Sequence, residues 1–206
     1  MKALFCQQFG PIADLVVTDV PAPPLAPGKV LIDVKAASLN FPDALMVQGL
    51  YQVKPPTPFV PGAEYAGVVA AVGDGVSHVT VGDRVMAFTG WGGFAEQAVA
   101  DAMRVSPMPP SMSFEQGASF VLTYATSHHA LKDVAKLQAG ETLLILGASG
   151  GVGTSAIQLA KITGATVIAA ASSDDKLALC KSLGADHLVN YSHDNWRDQV
   201  NAIVGK

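Results

Sequence analysis

The sequence predicts an α/β protein in two parts: a β-barrel or sandwich over residues 1–112, then the first half of a doubly wound parallel sheet over residues 113–206. Three observations carry this. Short, Val-rich apolar runs broken by Pro and Gly fill the first half. The second half alternates continuous apolar strands with helical stretches. A glycine-rich turn joins the first of those strands to the helix after it.

The elements follow in order. Met1–Phe5 runs straight into a strand-like segment. Val30–Ala36, Tyr65–Val72 and Val85–Phe88 are strand candidates, the last fed by the turn Gly82-Asp83-Arg84; Phe94–Val99 alternates loosely and gives a fourth. Pro107-Met108-Pro109-Pro110 marks the hinge between the halves. Ser113 and Gln116 have capping-box spacing, which predicts a helix running toward Leu131. Thr142–Leu146 is a continuous apolar strand of the kind covered on both faces in parallel sheets. Beyond it the pattern predicts a helix from Gly151 to Thr163, a strand Thr166–Ala171 and a helix from Asp174 to Leu183 ended by Gly184. A short strand His187–Asn190 and a helix from Asp194 to Val204 complete the series. Three strands are half of what such folds use, about five or six.

Composition narrows the function. Half the residues are apolar and 15% are charged, which is a folded chain with a rich core. The net charge of −4 implies no basic surface, so nucleic acid is not the expected ligand. No apolar run reaches the ~20 residues that span a bilayer, and no signal-peptide pattern follows Met1, so the expectation is a cytoplasmic protein without a membrane segment. Cys6 and Cys180 are the only cysteines. They are too few for a disulfide framework or a four-thiolate zinc site, and read as reduced thiols.

The turn Gly147-Ala148-Ser149-Gly150-Gly151-Val152-Gly153 lies between a strand and a helix, the context in which such a pattern binds a nucleotide diphosphate. Gly147 permits a sharp exit at positive φ. Gly150 lets a pyrophosphate approach the backbone, and Gly153 lets the helix pack on the strand. The helix start offers unpaired N–H groups and a partial positive charge. At the end of the next strand an NAD enzyme places a carboxylate; here Ala171-Ser172-Ser173 stands there, with Lys176 nearby, which suits a 2′-phosphate and so NADPH. Asp174 and Asp175 read as first-turn helix residues favoured by the helix dipole.

These stretches resemble a family. Leu122–Ser127, Gly140–Gly153, Ala169–Ser173 and Leu183–His187, with Ser38–Asp43 and Pro61–Gly67 in the first half, are similar to the zinc-independent quinone reductases of the medium-chain dehydrogenase superfamily. The resemblance implies an N-terminal chaperonin-like β-barrel followed by a Rossmann domain, with the active site in the cleft between them. It implies that Tyr191 lies near the adenosine phosphate, Lys176 at the 2′-phosphate, and Thr126 close to the nicotinamide. Asn40, Asp43 and Tyr51 match positions lining the substrate pocket, Tyr51 having an equal reading as a packed loop aromatic. Zinc-dependent members ligate their catalytic metal with a Cys and a His where this chain has Asn40 and Ala63. His78, His128, His129, His187 and His193 show no ligand spacing, and adjacent His128 and His129 should split into one buried and one exposed side chain.

The implied chemistry is hydride transfer from NADPH to a quinone or an α,β-unsaturated carbonyl, by proximity and electrostatics and without zinc. Asn40, Tyr51 or Thr126 would hydrogen-bond the developing oxyanion; no general acid stands out. An enoyl-thioester reductase and a non-catalytic dinucleotide-binding protein are the alternatives. The resemblance also implies that the complete protein continues beyond Lys206 with the rest of the Rossmann sheet and is a homodimer.

Overall fold

A computed structural model describes residues 1–205. It divides into two compact units, Met1–Leu122 and Thr123–Lys206. The division falls later in the chain than the 112/113 boundary expected from sequence. The reason is packing: the helix Phe114–Ala118 (α2) joins the first unit through a cluster of Ala66, Met108 and Ala118, with Phe114 and Met86 against it.

In the first unit, β1 (Lys2–Phe5) and β2 (Val16–Asp19) form an antiparallel pair. The main sheet contains β3 (Lys29–Ser38), β4 (Glu64–Val72), β5 (Arg84–Phe88), β6 (Gln97–Asp101) and β7 (Val105–Pro107), in the order β6-β3-β4-β5-β7 and antiparallel throughout. Alternate side chains of these strands meet in one core of Val30, Ile32, Tyr65, Val69, Val85, Ala87, Ala98 and Ala100. The strand expected over Phe94–Val99 is displaced to β6, because Ala95 bridges Ala3 of β1 instead. The helix α1 (Phe41–Val47) interrupts the run between β3 and β4; its inner face packs Met46 and Val47 against Cys6 and Phe59.

The helix expected from Ser113 to Leu131 is broken. The Ser113–Gln116 capping box starts α2 as read, but the chain leaves the helix at Ser119 and re-enters it as α3 (Val121–His128), which ends in a wider π-helical turn, His129–Val134. Both His128 and His129 are exposed, contrary to the expected split.

The second unit follows the sequence pattern closely. β8 (Thr142–Leu146), α4 (Gly151–Thr163), β9 (Thr166–Ala171), α5 (Asp174–Ser182), β10 (His187–Asn190) and α6 (Trp196–Val204) alternate along the chain. The strands are parallel in the order β10-β9-β8. One face carries Ile145, Val167 and Ala169 against Ile157, Ala160 and Cys180. The other carries Ile168, Ala170 and Val189 against Trp196, Val200 and Ile203 of α6. Leu144 and Leu146 of β8 stand on that second face, level with Ile168 and Ala170, and remain 37% and 61% exposed. Coverage of β8 on both faces is therefore not met among the described residues: α6 covers β9 and β10 only.

Candidate functional site

The glycine turn has the geometry its sequence requires. Gly147 adopts φ +64°, open to Gly and costly for other residues. The Ala148 N–H donates to Ala170 O of β9 (3.0 Å) and the Gly150 N–H to Gly147 O (3.0 Å), which fixes the loop at the C-terminal end of the sheet. Gly150 is the N-cap of α4, and the first-turn N–H groups after it have no acceptor within the helix. A Cβ at Gly150 would meet only Gly147 O, at 3.4 Å, so the space above it is open. A Cβ at Gly153 would lie 2.6–2.7 Å from the Ala148 backbone, so Gly153 is what lets the helix sit on the turn. Ser127 ties α3 to the same place: its Oγ donates to Val152 O (2.9 Å) and shares a hydrogen bond with Ser155 Oγ (2.7 Å). Thr126, next to it on α3, is exposed.

A second group of polar side chains forms where β9 ends. Lys176 Nζ donates to Ser172 Oγ (2.8 Å), and among the described residues no carboxylate pairs with it. Ser173 is the N-cap of α5. The Tyr191 N–H donates to Ala171 O (3.0 Å), which seats this exposed tyrosine beside the strand tip. Asp174 accepts from Asn190 Nδ2 (3.1 Å), so its carboxylate is tied to the end of β10. Ser192 was missed by sequence reasoning: its Oγ donates to Ser172 O (2.9 Å) and its N–H to Asn190 Oδ1 (3.0 Å). The available signal was its place just after the third strand, since neighbouring parallel strands end side by side. The cluster sets the Lys176 ammonium among hydroxyls, and with the turn it fits an adenine dinucleotide carrying an extra phosphate.

The first unit holds a separate polar network around the start of α1. Asp43 is 2% exposed and accepts from the Asn40 N–H (2.8 Å) and the Ala63 N–H (2.9 Å). Glu64 is 1% exposed and accepts from Ser38 Oγ (2.7 Å), Asn40 Nδ2 (3.1 Å) and the Leu122 N–H (2.9 Å). Glu64 was not singled out from the sequence. The expected pocket residues Asn40 and Asp43 thus come together. Tyr51 does not join them: it is half-buried against the Met46–Val47 end of α1, about 10 Å along the helix from its Asn40 cap.

Burial pushes the Asp43 carboxyl above its ordinary range, against the Asn40 and Ala63 N–H groups that pull it down; repulsion from Glu64 adds to the rise. The linkage sign follows. The stability from this group is complete below its unfolded pKa of ~3.9 and is lost as pH rises through the higher folded value. Urea titrations from about pH 4 upward should therefore show wild type losing stability relative to Asp43→Asn as pH increases, although Asn, whose NH2 faces one of the two N–H donors, is the less stable protein in absolute terms. A difference between the two that does not change with pH would contradict this.

Zinc does not fit this network. Ala63 offers no lone pair from its side chain, Asp43 and Glu64 face N–H and O–H donors, and among the described residues no three His, Cys, Asp or Glu side chains gather for a metal.

Residues 26–110 match the alcohol dehydrogenase GroES-like domain and residues 151–206 the zinc-binding dehydrogenase domain. The chain is 38% identical over 192 residues to rat quinone oxidoreductase-like protein 2, covering 93% of this chain and 55% of that protein. Its structure resembles a probable oxidoreductase from Mycobacterium abscessus (TM-score 0.94, 41% identity, 100% of this chain and 66% of that one). It also resembles the quinone oxidoreductase of Thermus thermophilus, solved alone and with NADPH (TM-score 0.85, 35% identity, 98% and 64%). The chain thus spans between about half and two thirds of the length of these relatives. A GroES-like sheet followed by a Rossmann-type β-α-β series, with these matches, places the chain in the medium-chain dehydrogenase/reductase superfamily, where the relatives it resembles include quinone oxidoreductases.

Proposed function

We propose that the protein carrying this chain is a cytoplasmic, zinc-free, NADPH-dependent oxidoreductase that reduces a quinone or a related conjugated carbonyl. The observation that carries the reading is the glycine turn at the start of α4, open above Gly150, in the same unit as Lys176 of α5, which reaches Ser172 beyond the end of β9 and has no carboxylate partner among the described residues. The NADPH in the Thermus thermophilus complex supports the choice of cofactor. When bound, the nicotinamide supplies the hydride. The first-turn N–H groups of α4 hold the diphosphate, and Lys176, Ser172 and Ser173 hold the 2′-phosphate with Tyr191 beside it. Thr126 is the hydroxyl assigned to the nicotinamide side, and Asp43 holds the backbone of the Asn40 and Ala63 segments in place. A quinone or enone accepts electrons through its own conjugation, so the protein orients the reactants and excludes water.

Lys176→Ala tests the cofactor assignment. Loss of a charge-assisted contact should weaken NADPH binding about tenfold or more while NADH changes less than about twofold. Titrations followed by thermal shift or fluorescence measure both; equal weakening would remove the assignment. NADPH oxidation assayed with a small quinone, an enal and an enoyl thioester then identifies the acceptor. Binding with no turnover of any acceptor would point to a dinucleotide-binding protein without reductase activity.

A further inference from the structure

We infer that Glu64 is a positioning residue that fixes the direction of the Asn40 amide, so that Asn40 meets a ligand as a hydrogen-bond acceptor and not as an oxyanion donor. The inference rests on the proposed reductase reading only in assuming that a ligand reaches Asn40.

Hydrogen counting forces the arrangement. A carboxylate only accepts. Glu64 Oε1 takes the Ser38 hydroxyl at 2.7 Å and Asn40 Nδ2 at 3.1 Å, and Oε2 takes the Leu122 N–H at 2.9 Å. The single hydroxyl hydrogen of Ser38 is thereby spent, so Ser38 Oγ toward Asn40 can only accept, which it does from Nδ2 at 2.9 Å. Both neighbours of the amide being acceptors, the nitrogen must face them. A flipped amide would set Oδ1 against Glu64, oxygen against anion. What Asn40 keeps is Oδ1. That oxygen faces the Asp43 N–H in the capping box, an N–H that also donates to the Asn40 backbone O at 3.0 Å, and it keeps a further lone pair.

The chemical consequence concerns the reaction. With its nitrogen turned to Ser38 and Glu64, Asn40 offers a ligand its amide oxygen, which repels a developing oxyanion and receives a hydroxyl or amide hydrogen. The group that meets Asn40 is therefore a donor, such as a hydroxyl of the reduced product.

The test reads the amide directly. In the 15N-labelled chain both Asn40 side-chain amide protons should exchange about tenfold or more slowly than those of exposed Asn201, and the Leu122 amide proton should lie downfield. Glu64→Gln keeps the volume but turns an NH2 toward at least one of the three donors. With the β3 and β5 amide signals retained, the Asn40 protons should lose their protection. If that variant does not fold, Ser38→Ala decides: one of the two Asn40 protons becomes fast and the Leu122 signal stays. Freely exchanging Asn40 protons in wild type, or protection unmoved by the replacements, would overturn the inference. In the reductase assay Glu64→Gln should raise the acceptor KM with NADPH Kd unchanged. Absence of turnover in wild type would count against the reductase reading alone, leaving the exchange result to decide the role of Glu64.

Discussion

Gly150→Ala is expected to abolish dinucleotide binding while leaving the fold nearly intact. Gly150 has φ −76° and ψ 164°, a conformation open to any residue. The new methyl would meet only Gly147 O at 3.4 Å, an ordinary contact. The change should therefore cost about 1 kcal/mol or less, most of it the poorer N-cap propensity of Ala. The same methyl stands in the open space where a diphosphate must reach the backbone N–H groups, so affinity should fall at least about a hundredfold. Gly153→Ala is the contrasting control. Its methyl would lie 2.6 Å from Ala148 O and 2.7 Å from two further Ala148 backbone atoms. Backbone cannot rotate away, so α4 must lift off the turn, at about 2–3 kcal/mol. Melting curves and NADPH titrations on both variants separate the effects. A Gly150→Ala variant that binds NADPH normally would sink the diphosphate assignment.

The second large effect is expected at Gly67. It lies in β4, paired with Val34 of β3 and Val85 of β5. A Cβ there would stand 2.1 Å from Asp33 O and 2.8 Å from Ile32 Cγ2. Asp33 has little room to move: β3 is paired on its other edge with β6, and Asp33 also accepts from Gln97 Nε2 at 2.9 Å. Gly67→Ala should therefore destabilise the first unit by about 3 kcal/mol or more, the upper end for an overpacked site. The harm reaches the polar network, because β3 ends at Ser38 and β4 begins at Glu64. Calorimetry measures the loss. A Gly67→Ala protein melting within about 1 kcal/mol of wild type would mean that the two strands separate more easily than their pairing implies.

The two units differ in how much of them could be read from the chain. In the second, β8, α4, β9 and β10 appear where their patterns put them, because a continuous apolar run, a glycine turn and a helix cap are local features. The first unit hides more. α1 carries a local signal, Asn40 followed three residues later by Asp43 with Pro42 in the first turn, but its short length leaves no helical period to read. β2 and β7 are too short for any period to show, and only pairing with β1 and β5 defines them. Ser192 becomes visible once β9 and β10 lie side by side.

The chain by itself determined the open glycine turn and the missing carboxylate at the tip of β9, since backbone freedom and side-chain charge belong to each residue. Folding decided the rest: which way the Asn40 amide faces, why Gly67 admits no side chain, and that Glu64 matters at all. Those depend on hydrogen bonds and contacts between residues as far apart as 64 positions, Asp33 and Gln97, which no local pattern encodes.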